Sequence, residues 1–260
     1  EEKLESAYNK LRVTEMQLIQ AAKMAGIGQL AAGVAHEINN PLTGVLNSIQ
    51  LVKMEVARKK DFKIDDFKEV LDAVEESALR CKKIVRSLLD FSHAAGAPFV
   101  FLSLNNVIEK TMDFIEHQAE SENILIKKQL QPDLPLILGN SQLLEQLILD
   151  IIANARWAIQ AKAPEEGGLI TIKSKYEPQK RVVLLSISDT GIGIPKENIN
   201  KIFEPFFTTK PVGKGTGLGL SIAYSIIKQH SGTIEAESQL DQGATINISL
   251  PVMEGKVTVS

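Results

Sequence analysis

The chain has 260 residues, of which 44% are hydrophobic and 23% charged, with a formal net charge of -3. Single cores commonly run to about 100–200 residues, so this length predicts two domains of a soluble globular protein, and the near-neutral charge removes the electrostatic reason to expect nucleic acid. The single cysteine, Cys81, excludes an intrachain disulfide, and no run of about 18 apolar residues and no signal-peptide pattern predicts a membrane contact.

The first residues, EEKLESAYNKL, already lie in a helical pattern. The lone thiol and the lack of a spanning run lead one to expect a cytoplasmic chain, and the helical start the output end of a longer protein, with room for a sensor or transmembrane part upstream. Leu4, Leu11, Leu18 and Ala25 recur every seven residues, with Ala7, Thr14 and Ala21 between them, which predicts a coiled-coil signalling helix over 1–24. From Leu30 the apolar set Val34, Ile38, Leu42, Val45, Ile49 and Val52 carries the helix to about Ala57, with a kink tolerated at Pro41. The polar stretch RKKDFKID breaks the pattern. A second helix then places Phe67, Val70, Leu71, Val74, Ala78, Cys81, Val85, Leu88 and Leu89 on one face. Such a hairpin cannot bury both stripes alone, so two copies are expected to pair as a homodimeric four-helix bundle.

AAGAP, residues 94–98, reads as a linker, which puts the hairpin domain at 25–96 and a second domain at 97–260. In the second domain, 105–119, 141–161 and 217–230 read as helices. ILIKKQL, LITIKSKY, VVLLSIS, TIEAES and ATINISL read as strands. The expected fold is an all-α helical hairpin followed by an α+β sandwich, a mixed sheet with helices on one face.

Two constellations carry chemistry. Spacings of three and four put Gln29, Gly33, His36, Asn40, Thr43, Asn47 and Gln50 on one helix face, away from the apolar stripe. An isolated exposed histidine is usually a solvated side chain. His36 has no second His or Cys nearby to share a metal, whereas a neutral imidazole beside the carboxylate of Glu37 suits a nucleophile with a proton acceptor.

The second constellation is glycine-rich. DTGIGI, with Gly191 and Gly193, ends an apolar strand, and GTGLGL, with Gly215, Gly217 and Gly219, opens an apolar helix. No P-loop motif occurs, and the loop glycines lack the last position of a Rossmann fingerprint. A helix N-terminus with exposed N–H groups holds phosphate oxygens, and Lys210 and Lys214 are placed to add charge; a plain glycine-rich cap is the simpler alternative. Asp189, at a strand end, suits an adenine amino group rather than a guanine carbonyl. Asp150 and Asn154 share a helix face, where an amide oxygen can serve Mg²⁺.

In order and spacing, HEINNPL, NARWAI, DTGIG, FEPFF and GTGLGL resemble the H, N, G1, F and G2 boxes of bacterial sensor histidine kinases, over residues 25 to 252. The resemblance implies a dimerisation and histidine-phosphotransfer hairpin followed by a Bergerat-type (GHKL) ATP-binding catalytic domain. It implies ATP and Mg²⁺ as ligands, and autophosphorylation on His36 with transfer to an aspartate of a response-regulator receiver domain. Glu37 matches the proton-accepting acidic residue, and Asn40 the one that positions water for regulator dephosphorylation. Asn154 matches the magnesium ligand, Asp189 the adenine-binding aspartate, and Gly215, Gly217, Gly219 and Leu220 the phosphate-binding backbone. Phe203, Phe206 and Phe207 match a lid anchor, and Thr245 a threonine lining the adenine end. Two positions depart from the pattern. Many relatives carry asparagine where Asp150 stands, and hydrolysing ATPases of the superfamily carry a water-activating glutamate there. Trp157 stands where some members place a phosphate-contacting lysine. An ATPase clamp without a phosphohistidine and a nucleotide-sensing scaffold are the alternative functions.

Overall fold

The structure is a computed structural model that describes residues 38–58, 67–94, 98–162, 165–211 and 215–252. The expected signalling helix over 1–24, His36, Glu37 and Lys214 lie outside the described residues. The chain forms two compact units, Glu1–Arg86 and Ser87–Ser260.

In the first unit, residues 38–58 form helix α1, which is continuous through a buried Pro41. Helix α2, Lys68–Ala94, begins after the buried Phe67. The Cys81 thiol donates to the Ile38 carbonyl at 3.8 Å, and Gly44 faces Ser77, so the apolar stripes of the two helices meet. One hairpin leaves much of these stripes uncovered: Leu42 is 46% exposed and Leu71 47%. Asn40, Thr43, Asn47 and Gln50 are exposed as the helical spacing predicts.

The second unit is built on a five-stranded mixed sheet in which Ile124–Leu130, Gly168–Glu177, Val182–Asp189, Gly243–Pro251 and Thr233–Gln239 lie side by side in that order. Its strands are β2 (Ile124–Leu130), β4 (Gly168–Glu177), β5 (Val182–Asp189), β6 (Thr233–Gln239) and β7 (Gly243–Pro251). Only β2 and β4 pair in parallel; the other neighbours are antiparallel. The core face carries Ile170 and Ile172 of β4, Val183, Leu185 and Ile187 of β5, and Ile246, Ile248 and Leu250 of β7, all buried at alternate positions. Against it lie α3 (Leu104–Ser121), α4 (Ser141–Lys162) and α5 (Gly219–Gln229). The opposite face is polar, with Ser186 donating to Asn247 Oδ1 at 2.8 Å and Ser188 bonded to Thr245 at 2.9 Å. Helices on one face of a mixed sheet are what the sequence leads one to expect.

A second, two-stranded antiparallel sheet joins β1 (Val100–Leu102) to β3 (Ile137–Gly139) and has no counterpart in the sequence reading. Its strands have three residues each, too few for alternation to show. Beside it, Asn140 caps α4 by accepting from the N–H groups of Gln142 and Leu143, and its own N–H donates to Nε2 of the buried His230 at 3.0 Å. Nδ1 of His230 meets the Ile226 carbonyl at 2.8 Å, which ties the start of α4 to the end of α5.

Candidate nucleotide site

Helix α4 supplies the floor of the site. Its apolar side buries Leu143, Leu144, Leu147, Ile148, Ile151, Ile152, Ala155 and Ile159. Gln146, Asp150, Asn154 and Trp157 follow at spacings of four, four and three, so they line one other side of the same rigid rod. The Gln146 amide donates to both oxygens of Asp150 at 3.1 Å. Asn154 Oδ1 accepts from Lys210 Nζ at 2.8 Å, and that ammonium lies 4.9 Å from the centroid of the Trp157 ring.

Helix α5 begins opposite. A Cβ on Gly219 would lie 3.7 Å from Asn154 Nδ2 and 3.7 Å from Asp150 Cβ, so the first turn of α5 faces the polar pair across ordinary contact distance. The free N–H groups of that turn, those of Gly219 and Leu220 among them, bring a positive dipole end to the same place. Gly217 has a different task. Its φ is +68°, and a Cβ there would fall 2.3 Å from the Phe206 carbonyl carbon, whose own residue sits at φ +68° and donates its N–H to Gly217 O at 2.9 Å. The segment running through FEPFF is thereby clasped to the GTGLGL loop.

Asp189 ends β5. Its Oδ1 accepts from the N–H of Gly191 at 2.8 Å and of Ala244 at 3.4 Å; Oδ2 has no bonded partner among the described residues. Burial raises the Asp189 pKa above its ordinary value, opposed by the two backbone N–H bonds and the charge of Lys162. Gly191 and Gly193 are explained by packing of the chain on itself: a Cβ on Gly191 would lie 2.5 Å from the Ala158 backbone and one on Gly193 2.3 Å from the Gln239 carbonyl oxygen. Lys162 pins the same corner by donating to the carbonyls of Thr190 and Asp241.

The structure thus brings Asn154, Lys210 and Gly219 together, with Gly215 against the stem of Lys210. Thr245 is placed elsewhere. It pairs with Ser188, one residue off the buried Ile187, so its hydroxyl lies on the polar sheet face, and Ala244 is the residue of that segment that touches Asp189. Sequence reasoning missed Gln146, although its position four residues before Asp150 on a helix was the signal available. Trp157 was singled out only as a lysine lost; the lysine that reaches this face comes from a distant loop.

An oxygen acceptor and a carboxylate on one helix, facing a helix N-terminus across a narrow gap, with a half-buried carboxylate at the neighbouring strand end, define an ATPase-type nucleotide-binding domain. Residues 139–254 match the Histidine kinase-, DNA gyrase B-, and HSP90-like ATPase family, and residues 27–96 match the His Kinase A (phospho-acceptor) domain. The chain belongs to the bacterial two-component sensor histidine kinases. It is 35% identical over 253 residues to the sensor kinase CckA of Brucella abortus (strain 2308), covering 92% of this chain and 26% of that protein. To the signal transduction histidine-protein kinase AtoS of Escherichia coli (strain K12) it is 33% identical over 248 residues, covering 95% of this chain and 38% of AtoS. The chain therefore spans less than half of either relative. Among solved structures, the catalytic domain of histidine kinase ThkA superposes with a TM-score of 0.52 at 30% identity, covering 60% of this chain and 97% of that one. ThkA in complex with response regulator protein TrrA gives a TM-score of 0.64 at 26% identity, covering 93% and 66%. Among the described residues no helix is long and apolar enough to cross a membrane.

Proposed function

We propose that this chain transfers the γ-phosphoryl group of ATP to His36 and then to an aspartate of a response-regulator receiver domain. The observation that carries the reading is the convergence of Asn154, Lys210 and the start of α5 on one gap, with Asp189 at the strand end beside α4. Support for the partner comes from the likeness to ThkA, which was solved in complex with a response regulator protein. The division into a signalling helix at 1–24, a phosphotransfer hairpin at 25–96 and a catalytic domain at 97–260 belongs to the same proposal, as do the homodimer and a cytoplasmic setting. The dimer is supported by the apolar surface one hairpin leaves exposed, Leu42, Leu46, Ile49 and Leu79 included.

Asp189 Oδ2 is available to accept the adenine amino hydrogen while Oδ1 stays held by backbone. The phosphates then reach the N–H groups of Gly219 and Leu220, with Lys210 close by. The donor set suits Mg²⁺: one amide oxygen, Asn154 Oδ1, with Asp150 one turn away, fits a hard ion that takes most of its ligands from phosphate and water. When bound, such an ion neutralises charge on the phosphate oxygens. An imidazole nitrogen of His36 attacks the γ-phosphorus, the bond to the ADP oxygen breaks, and the proton on the other ring nitrogen passes to Glu37. Positioning and charge neutralisation supply most of the acceleration in such transfers. Asn40, exposed on α1 and four positions after His36 in the sequence, is assigned to holding the water that dephosphorylates the regulator.

Exposing the protein to ATP and measuring acid-labile, base-stable phosphate tests the reading. Wild type is expected to label, and His36→Gln to bind ATP without labelling. Persistent labelling of His36→Gln removes the acceptor assignment. Phosphate released into solution with no labelled protein favours the ATPase clamp.

A further inference from the structure

We propose that Trp157 is a positioning residue for nucleotide binding: its indole holds the Lys210 ammonium at the face of α4 from which it is passed to the nucleotide's phosphates. This rests on the phosphate-site reading of that face. Three observations place Lys210 there. Its Nζ donates to Asn154 Oδ1 at 2.8 Å, the same atom lies 4.9 Å from the Trp157 ring centroid, and its stem crosses Gly215 so closely that a Cβ on that glycine would fall 3.0 Å from Lys210 Cδ. The lysine is held at both its stem and its head.

A lysine is a strongly hydrated point charge on a flexible four-carbon stem, so one on a loop would otherwise spread over many positions in water. Asn154 and Trp157, three residues apart on a helix anchored in the core, narrow that spread to one place. The two holds differ in what ligand does to them. Asn154 has one acceptor oxygen, and an ammonium and a metal ion on that same oxygen repel each other, so the bond to Lys210 is the one a metal ion displaces. The indole face has no competing role and keeps the ammonium beside the gap after release. Nucleotide binding thus exchanges the Asn154 bond of Lys210 for bonds to phosphate oxygens, while the ring limits how far the lysine travels. The chain contains one tryptophan, so tryptophan emission comes from this ring.

The test measures affinity for a non-hydrolysable ATP analogue with Mg²⁺ by calorimetry, together with tryptophan emission. Trp157→Leu is expected to weaken binding about threefold to tenfold, the loss of one partly exposed cation–π contact, while Trp157→Phe, which keeps a ring face, stays within about twofold of wild type. In a Lys210→Met background, Trp157→Leu is expected to add less than about twofold, because the lysine through which it acts is gone. Wild-type emission is expected to change on saturation with analogue, and that change to be lost in Lys210→Met. Additive losses, a Trp157→Phe variant as weak as Trp157→Leu, or emission indifferent to bound nucleotide overturns the role of Trp157. A wild type that binds no nucleotide overturns the site reading beneath it. Thermal unfolding of each variant separates a folding defect from a binding one, and the single variant Lys210→Met, on the surface loop, keeps the emission arm decisive if Trp157→Leu does not fold.

Discussion

Gly219 and Gly217 stand two residues apart, yet adding one methyl group to each is expected to have opposite effects on stability. At Gly219 the new Cβ meets Asn154 Nδ2 and Asp150 at 3.7 to 3.8 Å, ordinary contact, so none of these neighbours needs to move. The residue is the first of α5, where alanine is the better helix former by up to about 1 kcal/mol. Gly219→Ala is therefore expected to leave the unfolding temperature unchanged or raise it by about 2–4 °C. The same methyl group occupies the gap between α5 and the α4 pair into which phosphate must fit, so affinity for ATP is expected to fall by about tenfold or more, a loss of about 1.4 kcal/mol. At Gly217 the methyl would fall 2.3 to 2.6 Å from the Phe206 backbone at a φ of +68°. The left-handed conformation alone costs about 1–2 kcal/mol for alanine, and a backbone neighbour cannot swing aside. Gly217→Ala is expected to open the clasp at Phe206 and lose both stability and binding. Calorimetric melting and nucleotide titration of the two variants decide the matter. A Gly219→Ala protein that binds ATP as wild type does would refute the placement of phosphate at the start of α5.

Three further outcomes follow from the site. Asp189→Asn removes a charge that burial disfavours while keeping an oxygen for the N–H groups of Gly191 and Ala244, so it is expected to stabilise the domain by about 0.5–2 kcal/mol yet weaken ATP binding about tenfold to a hundredfold. Because the folded pKa of Asp189 lies above 3.8, its proton is held by the folded state first, and its contribution to stability falls as pH rises through that window, a trend Asp189→Asn should erase in melts between pH 4 and pH 7. Burial lowers the His230 pKa below 6.5, so the unfolded state takes that proton first and stability is expected to drop as pH falls below 6.5; His230→Phe should flatten this dependence while costing about 1–3 kcal/mol through loss of the acceptor for Asn140 N–H. The Gln146 amide donates to both Asp150 oxygens and holds the carboxylate against its own helix, so His36→Gln protein is expected to release no phosphate from ATP above background; release that Asp150→Asn abolishes would restore a water-activating role.

What was legible in the sequence was periodic or clustered. Apolar runs mark β4, β5 and β7, whose buried positions alternate toward one helical layer, and the period of α4 separates its core side from Asp150 and Asn154. The glycine loops were visible as clusters, but not the reason for each member. Gly191 and Gly193 answer to the backbones of Ala158 and Gln239, which only the folded chain brings near, and among the described glycines only Gly219 faces the polar pair. Thr245 shows the limit of a motif. Its side is set by its pairing with Ser188, and a shift of one residue in a strand moves a side chain to the other face. The contact between Lys210 and Asn154 spans 56 positions and joins a loop to a helix, so no local pattern announces it.

That contact also divides the site by rigidity. Asp150 and Asn154 ride on a helix with eight buried residues, so their positions are fixed by the core and a ligand cannot shift them cheaply. The loop that carries Lys210 has few such anchors: Glu204, Pro205, Thr208, Thr209 and Pro211 are exposed, and the clasp of Phe206 to Gly217 is its backbone tie to the glycine loop. Segments with little burial open at low free-energy cost. Binding energy from the phosphates can therefore be spent on ordering this loop without disturbing α4, whose geometry is already set. An ATP-dependent change in this domain should then be concentrated between residues 204 and 217, with hydrogen exchange slowing there and staying constant along α4. Exchange that slows equally along α4 would mean that the floor is not preformed, and that the core does not set the position of Asn154.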